Sequence, residues 1–173
     1  MSINYEQMFK DAVIRACNAD GILSLENSEP IATIGICYMN GYGTEKNDKN
    51  AFNFLSMAVG LGNVEAMTSL AKCYIYGIGT EKDEEKGFNY LKKAADLGNL
   101  DAFLGLSLCY MSGIGTAKDS DESFYYVKKA AEMGSVPALS SLADFYEYGF
   151  GTVQNLEKAE KLRAEYNEKI KNL

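Results

Sequence analysis

The sequence predicts an all-α array of four helix-turn-helix repeats with capping helices at the N- and C-terminal ends. Gly-x-Gly-Thr occurs four times, beginning at Gly41, Gly77, Gly113 and Gly149, each 36 residues after the last with no insertion. A column of cysteines, Cys37, Cys73 and Cys109, keeps the same spacing, and each precedes a recurring tyrosine at Tyr38, Tyr74, Tyr110 and Tyr146. Within each period, apolar residues recur twice with helical spacing. A fixed period of roughly 20 to 50 residues marks an array whose units bury their apolar faces only against neighbours, so function is sought on a surface.

The elements follow in order. Asn4 to Ala19 reads as a helix with Tyr5, Met8, Phe9, Ala12, Val13 and Ala16 on one side, followed by a connector over Leu23 to Pro30. Residues 1–28 are thus expected to be an N-terminal capping helix and connector. Residues 29–166 carry the four 36-residue repeats. In the second of these, Ala66, Leu70, Cys73 and Tyr74 share one face of helix A, which begins near Asn63. Gly77 and Gly79 then supply the positive φ that ends the helix and makes the turn. Asp83 is the N-cap of helix B, a slot that reads Asn47, Asp83, Asp119 and Asn155 across the chain. Helix B carries Glu84 and Glu85 in its first turn and Lys92 and Lys93 near its end, suiting the macrodipole, and stops near Leu97 at Gly98. The last helix replaces the recurring Lys-Ala-Ala with Glu165-Tyr166-Asn167, and its charged outer face suits a terminal element. Residues 167–173 are expected to end this capping helix, and the array to be complete and free-standing.

The run Ala66, Leu70-Ala71, Tyr74, Gly77-x-Gly79, Asp83, Lys86-Gly87, Tyr90, Lys93-Ala94-Ala95 and Gly98 resembles the Sel-one-like repeat, a relative of the tetratricopeptide repeat. It recurs as Ala102, Leu106, Tyr110, Gly113, Gly115, Asp119, Tyr126, Lys129-Ala130-Ala131 and Gly134. The resemblance implies a right-handed superhelical solenoid serving as a protein-binding scaffold. Two departures stand out. Threonines at 44, 80, 116 and 152 replace the usual small aliphatic residue, and Gly87 and Ser123 replace alanine. Some relatives staple each repeat with two cysteines, whereas this chain has one per repeat and so lacks that staple.

Composition narrows the function. With 17 Lys plus Arg against 24 Asp plus Glu, the net charge of −7 argues against nucleic acid and anionic membrane as partners. No signal peptide or stretch of about 18 apolar residues is visible, so a cytoplasmic location is expected. Phe145 fills the cysteine slot of the fourth repeat, so that slot asks for a buried apolar group, which a reduced cysteine supplies. The absence of histidine excludes Ser-His-Asp and imidazole-metal sites. Ser69-Leu70-Ala71-Lys72 has Ser-x-x-Lys spacing, but Leu70 and Ala71 are repeat-core slots and no Ser-Asp-Asn or Lys-Thr-Gly partner exists. No catalytic residue, cofactor or metal is therefore expected.

What remains is the array's own surface. The resemblance places a concave groove on helix A, and its slots vary while the core slots repeat. The candidate groove residues are Glu29, Ile36, Met39, Glu65, Thr68, Lys72, Ile75, Tyr76, Asp101, Leu104, Leu108, Met111, Asp144 and Tyr148. Apolar side chains beside an acidic row suit a protein or peptide partner that is apolar with some basic residues. The expected function is a non-enzymatic adaptor or scaffold. The alternatives are a soluble inhibitor or regulator capturing one protein, a hydrolase of unrecognised type, and self-association as a structural protein.

Overall fold

The structure, a computed structural model, describes residues 3–17 and 27–172. These residues form nine helices and no strand. The chain divides into two compact units, Met1–Ala94 and Ala95–Leu173. The first holds α1 (Tyr5–Ala16), α2 (Ser28–Asn40), α3 (Asp48–Gly60), α4 (Val64–Tyr76) and most of α5 (Glu84–Asp96). The second holds α6 (Leu100–Ser112), α7 (Ser120–Glu132), α8 (Val136–Tyr148) and α9 (Leu156–Lys171).

Helix A of successive repeats is α2, α4, α6 and α8, and helix B is α3, α5, α7 and α9. The expected helix B caps form. Asn47 accepts from the Asn50 amide, Asp83 from that of Lys86, Asp119 from those of Asp121 and Glu122, and Asn155 from that of Lys158. Each bond satisfies an amide left open at a helix start. A second cap row, on the same period, serves helix A. Asn27, Asn63 and Asn99 cap α2, α4 and α6 through the amides of Glu29, Ala66 and Ala102. Ser135 holds the fourth slot and makes no such bond.

The first glycine of each Gly-x-Gly turn is the left-handed C-cap of helix A, with φ of 74°, 69°, 74° and 69° at Gly41, Gly77, Gly113 and Gly149. The second glycine answers to a different constraint. A Cβ on Gly79 would overlap the backbone carbonyl of Asp48, the first residue of α3, and one on Gly151 would overlap that of Ser120, the first residue of α7. The turn of one repeat thus lies directly on the start of the preceding helix B.

Gly43 makes the same approach to the carbonyl of Tyr5, the first residue of α1. The aromatic packing agrees. Phe9 meets Tyr38 edge-on at 5.6 Å, as Phe52 meets Tyr74 at 5.5 Å and Phe124 meets Tyr146 at 5.5 Å. Phe9, Phe52 and Phe124 each stand four residues after the helix start. So α1 packs against α2 and its turn as a helix B packs against the next helix A. Two sequence expectations need correcting here. Ser28 to Pro30, read as connector, form the first turn of α2, where proline costs no hydrogen bond. Val13 is exposed and not on the packed side of α1. The expected helical residues beyond Cys17, and residues 23–26 of the connector, lie outside the described residues.

The core consists of the repeating slots. Leu70, Ala66, Cys37, Cys73, Ala102, Leu106, Cys109 and Phe145 are all buried, as the sequence pattern required. Burial pushes the Cys37 thiol up, and burial with the nearby Asp48 charge pushes Cys73 up to about 11. Helix A and helix B approach closely at paired small residues, Ala71 with Gly87 in the first unit and Ser107 with Ser123 in the second.

Candidate partner-binding surface

In the first unit, helix A presents Glu65, Lys72 and Tyr76 from α4 and Glu29 from α2 to solvent, while Ile36 and Met39 are half-buried. Thr68 and Ile75 are corrections, since both are only 5 % exposed and lie inside the repeat. The reason for Ile75 is visible in its neighbour: a Cβ at Gly87 would stand 2.5 Å from Ile75 Cγ1, so the isoleucine fills the space that the missing methyl leaves on α5. Its slot looks like groove in the sequence because Met39 and Met111 sit there in other repeats, and only the glycine opposite decides that it turns inward.

In the second unit the exposed members are Asp101, Leu108 and Met111 on α6 and Asp144 and Tyr148 on α8. Leu104 is half-buried and offers only an edge. Tyr148 lies 5.7 Å from Phe150, and both rings are exposed, so the end of α8 carries an aromatic pair. Phe150 occupies the middle of the Gly-x-Gly turn, held elsewhere by Tyr42, Ile78 and Ile114, so helix periodicity does not mark it.

The acidic row is partly occupied within the chain. Arg15 of α1 pairs with Glu29 at 3.3 Å, and Arg163 of α9 pairs with Asp144 at 2.9 Å and also with Glu147. The Arg15–Glu29 and Arg163–Asp144 pairs are exposed and worth little in water. Among the described residues, no cluster of three or more His, Cys, Asp or Glu is arranged to hold a metal, and no helix is long and apolar enough to cross a membrane. The surface can make apolar and charge contacts.

The Sel1 repeat family model matches residues 34–63, 64–99, 102–135 and 136–162. No curated protein matches the sequence significantly. Among solved structures, a Sel1 repeat protein from Oxalobacter formigenes is similar at 27 % identity and a TM-score of 0.75, over 95 % of this chain and 63 % of that one. A protective antigen of uropathogenic Escherichia coli strains displaying an SLR fold is similar at 22 % identity and a TM-score of 0.72, over 93 % of this chain and 32 % of that one. An immunity protein from Pseudomonas aeruginosa shares the fold at 18 % identity and a TM-score of 0.58, over 94 % and 64 % of the two chains. The chain therefore spans less than two thirds of the length of each. Their folds, like this one, are helical repeat solenoids. Four matched repeats covering most of the sequence establish that the chain belongs to the Sel1 repeat family, whose repeats serve as protein-interaction modules.

Proposed function

We propose that the chain is a non-enzymatic binding module that takes a protein or peptide partner on the exposed face of helix A. One observation supports this above others: α4, α6 and α8 hold large apolar side chains in water where helix A has variable slots. Tyr76 is 60 %, Leu108 48 %, Met111 42 % and Tyr148 61 % exposed. Scattered single apolar residues are ordinary, but aromatic and Met side chains recurring on one face of equivalent helices favour a partner surface. Glu65 and Asp101, exposed in the first turns of α4 and α6, favour a partner carrying some basic residues.

The test compares capture of a partner by the unaltered chain and by Leu108→Ser/Met111→Ser, with identification by mass spectrometry and affinity by calorimetry. The double variant is expected to weaken binding at least tenfold while helicity and melting temperature stay nearly unchanged, since desolvated anchors carry most interface energy. A partner held equally by both, but lost on Lys92→Glu in α5, would move the working face to helix B and end the helix A reading.

A further inference from the structure

Each of the first three repeats closes its helix A against its helix B with a ring stacked on a ring. Tyr38 stacks on Phe54 at 5.8 Å, Tyr74 on Tyr90 at 5.6 Å and Tyr110 on Tyr126 at 5.6 Å, with interplanar angles of 21°, 3° and 10°. In the fourth repeat the helix A ring is present as Tyr146, but the helix B slot holds Leu162. Beside Tyr146 and Leu162 lies a solvent-open cavity of about 250 Å³, also lined by Leu142. For scale, a dry cavity of about 150 Å³ admits benzene.

The cavity surface is almost wholly apolar, but the charged residues around it are mostly basic, in a chain whose net charge is −7. Lys128 of α7 and Lys158 and Lys161 of α9 line it, against one carboxylate, Glu132. Lys158 lies 5.0 Å from the Tyr146 ring centroid, so a cation already sits by the ring. Lys128 pairs with Glu132 at 3.7 Å and Lys161 with Glu157 at 2.6 Å. Both are exposed i,i+4 pairs of small worth, which an incoming carboxylate can replace.

We propose that this cavity, set between α7 and α9 over α8, is a docking site for an aromatic side chain of an acidic peptide segment. The ring takes the stacking place that Tyr90 and Tyr126 fill in their own repeats, and flanking carboxylates meet the three lysines. A mononucleotide also joins a ring to an anion, but three lysines spread over α7 and α9 around a cavity with room for one ring suit carboxylates spaced along a chain better than a single phosphate cluster, so peptide is favoured. This site stands apart from the helix A face and does not depend on it.

The probe is a blocked, fluorescently labelled peptide of sequence Glu-Glu-Phe-Glu-Glu, titrated with the full chain by anisotropy. Saturable binding is expected, weakening at least tenfold when Gly replaces the Phe, when Lys replaces the four Glu, or when salt is raised to high concentration. Leu162→Tyr restores the ring found in the other repeats, and is expected to weaken binding at least tenfold while melting at or above the temperature of the unaltered chain. The Leu162 methyl resonances are expected to shift upfield on binding as the ring settles over them. Equal affinity for the Gly peptide, unchanged affinity in Leu162→Tyr, or preference for a mononucleotide over the peptide would each overturn the assignment. So would the absence of saturable binding.

Discussion

The Ser123 hydroxyl of α7 donates to the backbone carbonyl of Ser107 on α6 at 2.7 Å, and the two Oγ atoms lie 3.0 Å apart with both residues buried. With the Ser123 proton committed to the carbonyl, its oxygen accepts from the Ser107 hydroxyl. The equivalent pair in the second repeat is Ala71 and Gly87, with no hydroxyl. The third repeat thus joins its two helices by polar atoms where the second relies on close approach alone.

Ser123→Ala is expected to cost about 1–3 kcal/mol, because it strands the buried Ser107 hydroxyl, whereas the double change Ser107→Ala/Ser123→Ala should return to within about 1 kcal/mol of the unaltered chain. Urea unfolding of the single and double variants reads the cycle. Simple addition of two losses would show that the hydroxyls act independently.

Gly79→Ala should cost about 2–4 kcal/mol, combining a positive φ of 69° with overlap on the Asp48 carbonyl. Gly98→Ala, with φ of 85° and nothing within 4 Å of its Cβ, should lose only about 1–2 kcal/mol. Equal losses in thermal melts would mean that the approach to α3 contributes nothing.

Phe9→Ala should destabilise by about 2–4 kcal/mol, close to Phe52→Ala, since each ring packs edge-on against a helix A tyrosine. Lys46→Ala, at an exposed position, should stay within about 0.5 kcal/mol. If Phe9→Ala behaves like Lys46→Ala, α1 is an ornament and not a working helix B.

Cys73 makes stability sensitive to alkaline pH. Its folded-state value, about 11, lies above its ordinary 9.0, so the stabilisation is fully present below pH 9 and is lost as pH rises from about 9 to 11, by about 2–3 kcal/mol. Cys73→Ala should show a shallower alkaline limb in denaturant melts at successive pH values. Native thiol labelling at neutral pH should spare Cys37 and Cys73, both buried and both pushed up.

Much of this fold is legible in the sequence because the repeat prints each structural demand several times over. Glycine at 77 and 79, an acid or amide at 83 and a cysteine at 73 each have copies one period away, so local chemistry could be told from accident. What stayed hidden had no such copies. The role of α1 as a helix B is masked because the connection from its start at Tyr5 to α2 at Ser28 is longer than that from Asp48 to Val64, which breaks the register. On helix A, the inward turn of Ile75 depends on Gly87 across the packing, a relation between two helices that periodicity within one cannot report. The cavity beside Tyr146 was likewise invisible as a motif, being the loss of a ring and not the gain of one.

The seating of Gly79 and Gly151 on carbonyls of the preceding helix B also sorts the chain's joints by how much change they tolerate. A residue added within a Gly-x-Gly turn would lift backbone off backbone, with no side chain to absorb the shift. The opposite joints, from helix B back to helix A, pass through Gly62, Gly98 and Gly134, each with open space around it. Grafted loops, tags or inserted recognition segments are therefore best placed there, and lineages of such arrays should have lengthened at those joints while keeping the glycine turns fixed in length.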